Sequence, residues 1–198
     1  MGSSTNIGFV YRKKHSTDAE NELSMLLEFL ISNNGKILTQ KYCQDLDGDG
    51  WVESNEVAHL LVGDVSSLLV NNYYGQLRMN CDILGKERLD IDLYFKMMEE
   101  NHFGILLDVA DDQIFEPDAS LEGITNCIIE FMKKVYSISH FDYSFCDNEA
   151  QIEYSLQELM SAGRPVYSIV ALPDPKSSEE LKVTKSDWNI DGLTSRNR

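Results

Sequence analysis

Two runs of alternating residues near the middle of the chain constrain its fold more than any other feature. Leu77, Met79, Cys81 and Ile83 alternate with Arg78, Asn80 and Asp82; beyond a Gly85-Lys86 turn, Leu89, Ile91, Leu93 and Phe95 alternate with Asp90, Asp92 and Tyr94. Successive side chains of a strand point to opposite faces, so this pattern predicts a β-hairpin with one apolar and one wet face. A sheet that is wet on one side is antiparallel or mixed, because parallel sheets are covered on both. Residues 102–109 (HFGILLDV) read as a further, more fully buried strand, and 7–11, 140–146 and 165–172 as others.

Between these the period changes. Leu23, Leu26, Leu27, Leu30 and Ile31 recur at helical spacing behind a capping signal, Ser16 or Thr17 with Glu20, and Asn33-Asn34-Gly35 ends that helix. A second helix is predicted over 53–72, a third over 120–136 and a short one over 156–162. The fold class is therefore α+β: a mixed or antiparallel sheet packed by helices on one face. Residues 1–173 are read as a single α+β domain. After Pro173 the composition turns polar, so 174–198 is read as a tail or loosely docked extension.

Within this frame, residues 45–56 (DLDGDGWVESNE) resemble the loop of the EF-hand family. Asp45, Asp47 and Asp49 stand at loop positions 1, 3 and 5, Gly50 at the sharp turn, and Glu56 at position 12. Calcium takes six to eight oxygens, and alternating carboxylates can wrap one side of the ion. The Trp51 carbonyl, Glu53 and a bidentate Glu56 would complete the shell, so the expected cofactor is Ca2+. Gln40, Lys41 and Gln44 ahead of the loop are not the apolar residues of an entering helix, which predicts a strand or single turn there. The loop and its exit helix are read as an EF-hand-like insert.

Net charge is −16, unevenly placed: between positions 99 and 160 fourteen Asp and Glu face only Lys133 and Lys134. A field of that sign repels nucleic acid and anionic lipid and attracts cations and basic proteins. The wet face of the hairpin offers Asp90 and Asp92, and the segment after it offers Asp142, Asp147, Glu149 and Glu153. Together these are the candidate surface for a basic protein partner, and Asp147 and Glu149 are expected to be exposed loop acids. No stretch of about 18 apolar residues is present, which excludes a membrane helix. The N-terminus lacks a signal-peptide pattern, and Cys43, Cys81, Cys127 and Cys146 show no zinc or disulfide spacing; both point to the cytoplasm.

Catalytic constellations are weak. His140, Asp142, Ser144 and Cys146 share one face of a predicted strand, but side chains at that spacing run parallel rather than converge. No catalytic, P-loop or dinucleotide motif is present, so the chain is read as a non-enzyme.

The order of elements is similar to immunity proteins of bacterial polymorphic-toxin systems. The resemblance is carried by an N-terminal GFVYRK strand, a long helix, a middle hairpin, then HFDYSFCDNEAQIEYS and PVYSIVALP, and it covers residues 5–172. It implies a compact acidic α+β protein that binds and blocks a cognate toxin by protein–protein contact inside the producing cell. Calcium would then be a structural staple. The competing class is a calcium sensor or buffer, which should expose a Met-rich groove; the seven methionines are scattered.

Overall fold

The computed structural model describes residues 3–15, 18–45, 47–55, 61–98, 102–116 and 119–194, with the main chain alone at 178 and 179. The elements run β1 (Ser4–Arg12), α1 (Asp18–Ser32), β2 (Lys36–Cys43), β3 (Trp51–Ser54), α2 (Val62–Val70), β4 (Tyr74–Cys81), β5 (Leu89–Met97), β6 (His102–Ala110), α3 (Asp111–Ile114), α4 (Leu121–Tyr136), β7 (Tyr143–Asn148), α5 (Leu156–Ser161), β8 (Ile169–Asp174) and β9 (Ser177–Lys185). The strands form one nine-stranded sheet in the order β3-β2-β4-β5-β6-β1-β7-β8-β9. Every neighbouring pair is antiparallel.

The predicted hairpin is β4–β5, registered from Tyr74↔Lys96 to Cys81↔Leu89. Its apolar positions join Ile7, Phe9 and Tyr11 of β1 and Phe103, Ile105 and Leu107 of β6 in one core cluster. Leu23, Leu26, Leu27 and Leu30 of α1, Val65 and Leu69 of α2, and Ile128, Phe131, Met132 and Val135 of α4 belong to the same cluster. Ser120 caps α4 by accepting from the Gly123 N–H at 3.0 Å.

The second face is covered over only part of its width. Val10, Leu106, Tyr143 and Phe145 form a smaller cluster there with Ala150, Ile152 and Tyr167, which come from the chain that returns across the face on either side of α5. Gly8 and Gly104 make this second layer possible. A Cβ on Gly8 would lie 2.1 Å from the Phe145 ring, and one on Gly104 2.5 Å from Ile152. With no side chain beneath it, Phe145 lies close to the sheet and stacks on Tyr167 at 3.9 Å between ring centroids.

Two expectations are corrected. The helix predicted over 53–72 does not begin at Glu53: Glu53 and Ser54 end strand β3, which pairs with β2 from Cys43↔Trp51 to Gln40↔Ser54. The acidic loop therefore joins two strands of a hairpin instead of entering an exit helix. The helical period in this stretch is realised only in α2, and 56–60 lie outside the described residues. The second correction concerns the polar segment after Pro173. It supplies β9, whose Leu181 and Val183 pack on the main core, and it continues to the buried Ile190.

The same segment explains Asp147, which is fully buried and not an exposed loop acid. Its carboxylate accepts from the Ser168 amide at 3.2 Å, from Ser168 Oγ at 2.9 Å and from the Trp188 indole N–H at 3.2–3.3 Å. One carboxylate thus ties β7 to the chain entering β8 and to the chain leaving β9. Truncating it leaves these three donors, and the Asn148 amide that also donates to it at 2.8 Å, without this acceptor, each costing about 1–3 kcal/mol. Asp147→Ala is expected to lower unfolding stability by about 3 kcal/mol or more in denaturant titration, with Asp147→Asn milder because it keeps one acceptor oxygen. A loss under about 1 kcal/mol for the alanine variant would contradict this role.

Candidate functional site

No residue of β2, β3 or β4 belongs to the second-face cluster, so among the described residues the remainder of that face presents sheet side chains directly. Register and alternation arrange them in rows. Trp51, Cys43, Tyr74 and Lys96 form the first row. Trp51 and Tyr74 stack across Cys43 with centroids 6.2 Å apart, leaving Trp51 46% exposed and the cysteine buried. The second row is Glu53, Lys41, Gln76 and Tyr94. Lys41 pairs with Glu53 at 3.2 Å, and Gln76 Nε2 donates to the Tyr94 hydroxyl at 3.3 Å.

The third row is Thr39, Arg78, Asp92, Asp108 and Asn6. Here two carboxylates, Asp92 and Asp108, stand directly opposite each other on adjacent strands. Like charges so placed oppose pairing. Burial pushes the Asp108 carboxyl above the usual aspartate range; the polar side chains of Ser4 and Asn6 beside it offset part of this, and the charges of Asp92 and Asp111 add to it. Burial also pushes the Tyr94 hydroxyl up to about 12, helped by Asp92 and Asp108. Beside the row a groove of about 290 Å³ is lined by Ser4, Arg78, Asp90, Asp92, Asp108 and Gln113. Gln113 holds its wall by accepting from the Asp90 amide at 2.9 Å and donating to the Asp90 carbonyl at 3.3 Å. Asp111 is held by Thr5 at 2.8 Å and Asn148 at 3.0 Å.

The six acids predicted as a partner surface do not form one patch. Asp90 and Asp92 lie on the open face, exposed and half-buried. Glu149 is exposed at the same end of the sheet, its amide bound to the Ser4 carbonyl at 2.9 Å. Asp142 lies at the other end, 3.8 Å from Arg12, and Glu153 is exposed on the covering segment. Asp147 is the internal pin described above. Sequence reasoning missed Asp108 and Asp111. The signal for Asp108 was present: it is the single acid within the apolar run HFGILLDV.

The expected calcium ligands are spread along the β2–β3 hairpin. Asp47, Asp49 and Glu53 are exposed, Asp45 is half-buried, and Glu56 lies outside the described residues. Asp45 accepts from the Asp49 amide at 2.8 Å and the Gly50 amide at 2.7 Å, bonds that hold its pKa below the usual range. Among the described residues no three His, Cys, Asp or Glu side chains form a group that could hold a metal. Cys146 is fully buried, and that burial pushes its thiol well up, far from a nucleophile's environment. A pocket of about 560 Å³ lies between α1, α4 and the β4–β5 turn, lined by Phe29, Ile83 and Phe131 among others.

The arrangement defines a sheet-dominated protein of strands and helices whose distinctive surface is a half-open, acid-edged sheet face. The chain belongs to the immunity protein 64 family, whose model matches residues 1–196. Among curated proteins none matches. Among solved structures, a T6SS protein of Pseudomonas aeruginosa is similar at 7% identity and a TM-score of 0.39, over 74% of this chain and 41% of that one. This chain thus spans less than half the length of that protein.

The raised pKa of Asp108 fixes the sign of a pH effect. A group whose folded pKa lies above its unfolded value contributes stability below the ordinary aspartate range, and that contribution is lost as pH rises through the folded pKa. At neutral pH the Asp108 charge therefore opposes folding. Asp108→Asn is expected to melt higher than the parent at pH 7, with the gap closing as pH falls below the ordinary aspartate pKa of about 4. A variant that melts lower at pH 7 would contradict this.

Proposed function

We propose that this chain is an immunity protein that neutralises a cognate toxin by binding it, with no chemistry of its own. Membership of the family over nearly the whole chain carries this reading. Two physical features support it. The net charge of −16 favours a basic protein partner and disfavours nucleic acid and anionic lipid. The Asp108 carboxylate, directly opposite Asp92, opposes folding at neutral pH, a cost more readily understood for binding than for stability. The buried thiols Cys43, Cys81 and Cys146 suit action in the reducing cytoplasm of the producing cell.

Co-expression of this chain with the toxin encoded at the same locus tests the proposal. Cells are expected to survive only when the chain is present, and the purified toxin should lose activity in proportion, fully inhibited at one chain per toxin. Association should slow about tenfold or more between low and high salt, because steering acts through screened charge. Protection by far fewer chains than toxin molecules would indicate an enzyme instead, and unaltered killing would overturn the assignment.

We also propose that the loop 45–56 binds calcium as a structural staple. Its support is the ligand spacing of Asp45, Asp47, Asp49, Trp51, Glu53 and Glu56, together with the Asp45 bonds to the Asp49 and Gly50 amides that shape the turn. Terbium in the loop should luminesce on tryptophan excitation through Trp51, be displaced by calcium, and fail to bind Glu56→Gln. Calcium at a hundredfold excess over its Kd should raise stability by about 2.7 kcal/mol. Equal terbium binding by parent and variant would remove the site.

A further inference from the structure

We propose that the toxin docks on the open half of the second sheet face, seating an apolar or aromatic side chain on the Trp51–Tyr74 pair and Lys or Arg side chains along Asp90, Asp92 and Asp108. This inference rests on the reading that the chain binds a toxin, and it assigns the surface and the chemistry of the partner.

Three observations carry it. The side chains that this face leaves in contact with solvent include Trp51, Tyr74, Tyr94 and Arg78, the residue types that dominate protein–protein hot spots. Trp51, 46% exposed, stacks with Tyr74 at the corner made by β3, β2 and the start of β4. Next, the charge at the third row and the groove beside it is unbalanced in one direction. Asp92 faces Asp108 across the β5–β6 pair, Asp90 stands beside them, and Asp111 acts on the same carboxylate. Arg78 is the cation registered with this row, opposite Asp92. A partner that brings Lys or Arg here relieves a repulsion already present in the free protein. Finally, the groups are mounted on strands and not on loops, so little ordering is needed on binding. A second copy of this chain fits less well, since it would bring another strongly acidic molecule against the same acidic edge.

The test uses the purified full chain and a catalytically inactivated toxin from the same locus. The variants are Asp90→Asn/Asp92→Asn and Trp51→Ala. Glu28→Gln/Glu122→Gln, exposed on α1 and α4, makes the same change in net charge on the other side of the molecule. Melting curves establish that each variant folds; the two charge variants replace surface acids and are expected to fold normally. The open-face pair should weaken binding about tenfold or more, and Trp51→Ala by a similar factor, while the helix pair stays within about twofold of the parent. Parent-like binding by the folded open-face pair, or equal losses for both charge pairs, would overturn this docking surface and leave the immunity reading intact. A parent that does not bind its toxin would overturn both. An altered oligomeric state in the open-face variants with unchanged toxin binding would assign the face to self-association and also overturn the proposal.

Discussion

The double pairing of β1 is the interaction on which the rest of the structure depends. All nine of its residues register with β6 and six of them with β7. On one side the strands β3, β2, β4, β5 and β6 run as neighbours; on the other β7, β8 and β9 do. These two blocks share no strand pair except through β1. The strand is also where the two faces of the sheet are built. Ile7, Phe9 and Tyr11 enter the main core, while Gly8 and Val10 lie beneath the second layer. The absence of a side chain at Gly8 lets Phe145 and then Tyr167 pack there, and that packing stops short of β4, β2 and β3.

The consequence is a molecule with a finished half and an unfinished one. Where the covering segment lies, the second face is a dry aromatic layer. Beyond it, β3, β4 and β5 carry Trp51, Tyr74, Arg78 and Tyr94, edged by carboxylates. That division links fold to function: a rigid sheet presents a fixed pattern of shape and charge, which is what recognition of one partner requires. The Asp92–Asp108 pair shows the compromise in a single contact, two charges held opposite each other on strands that would pair more readily without them.

Much of this was legible in the sequence because it is local. The β4–β5 hairpin, the buried β6, and the apolar stripes of α1 and α4 each announce themselves by period. The likeness to immunity proteins could be read from the succession of those elements, and the family match upholds it. What was not legible is non-local. The helical spacing of Val65, Leu68 and Leu69 extends backwards in the sequence and masks β3, a strand of four residues visible only through its pairing with β2. The segment after Pro173 has few apolar residues, yet Leu181, Val183, Trp188 and Ile190 each find a place prepared by distant elements. Asp147 sits in a DNEA stretch that reads as a turn, and only the arrival of Ser168 and Trp188 makes it an internal pin. The carboxylate edge is of the same kind: Asp92 and Asp108 meet through register, and Asp111 joins them through a helix of four residues.

Oxidative footprinting of the chain alone and bound to its toxin reads the central claim most directly, because it reports which side chains lose solvent on binding. The account predicts protection at Trp51, Tyr74 and Tyr94, with the exposed side chains of α1 and α4 as reactive in the complex as in the free chain. Protection confined to α1 and α4, with Trp51 and Tyr74 still reactive in the complex, would contradict it.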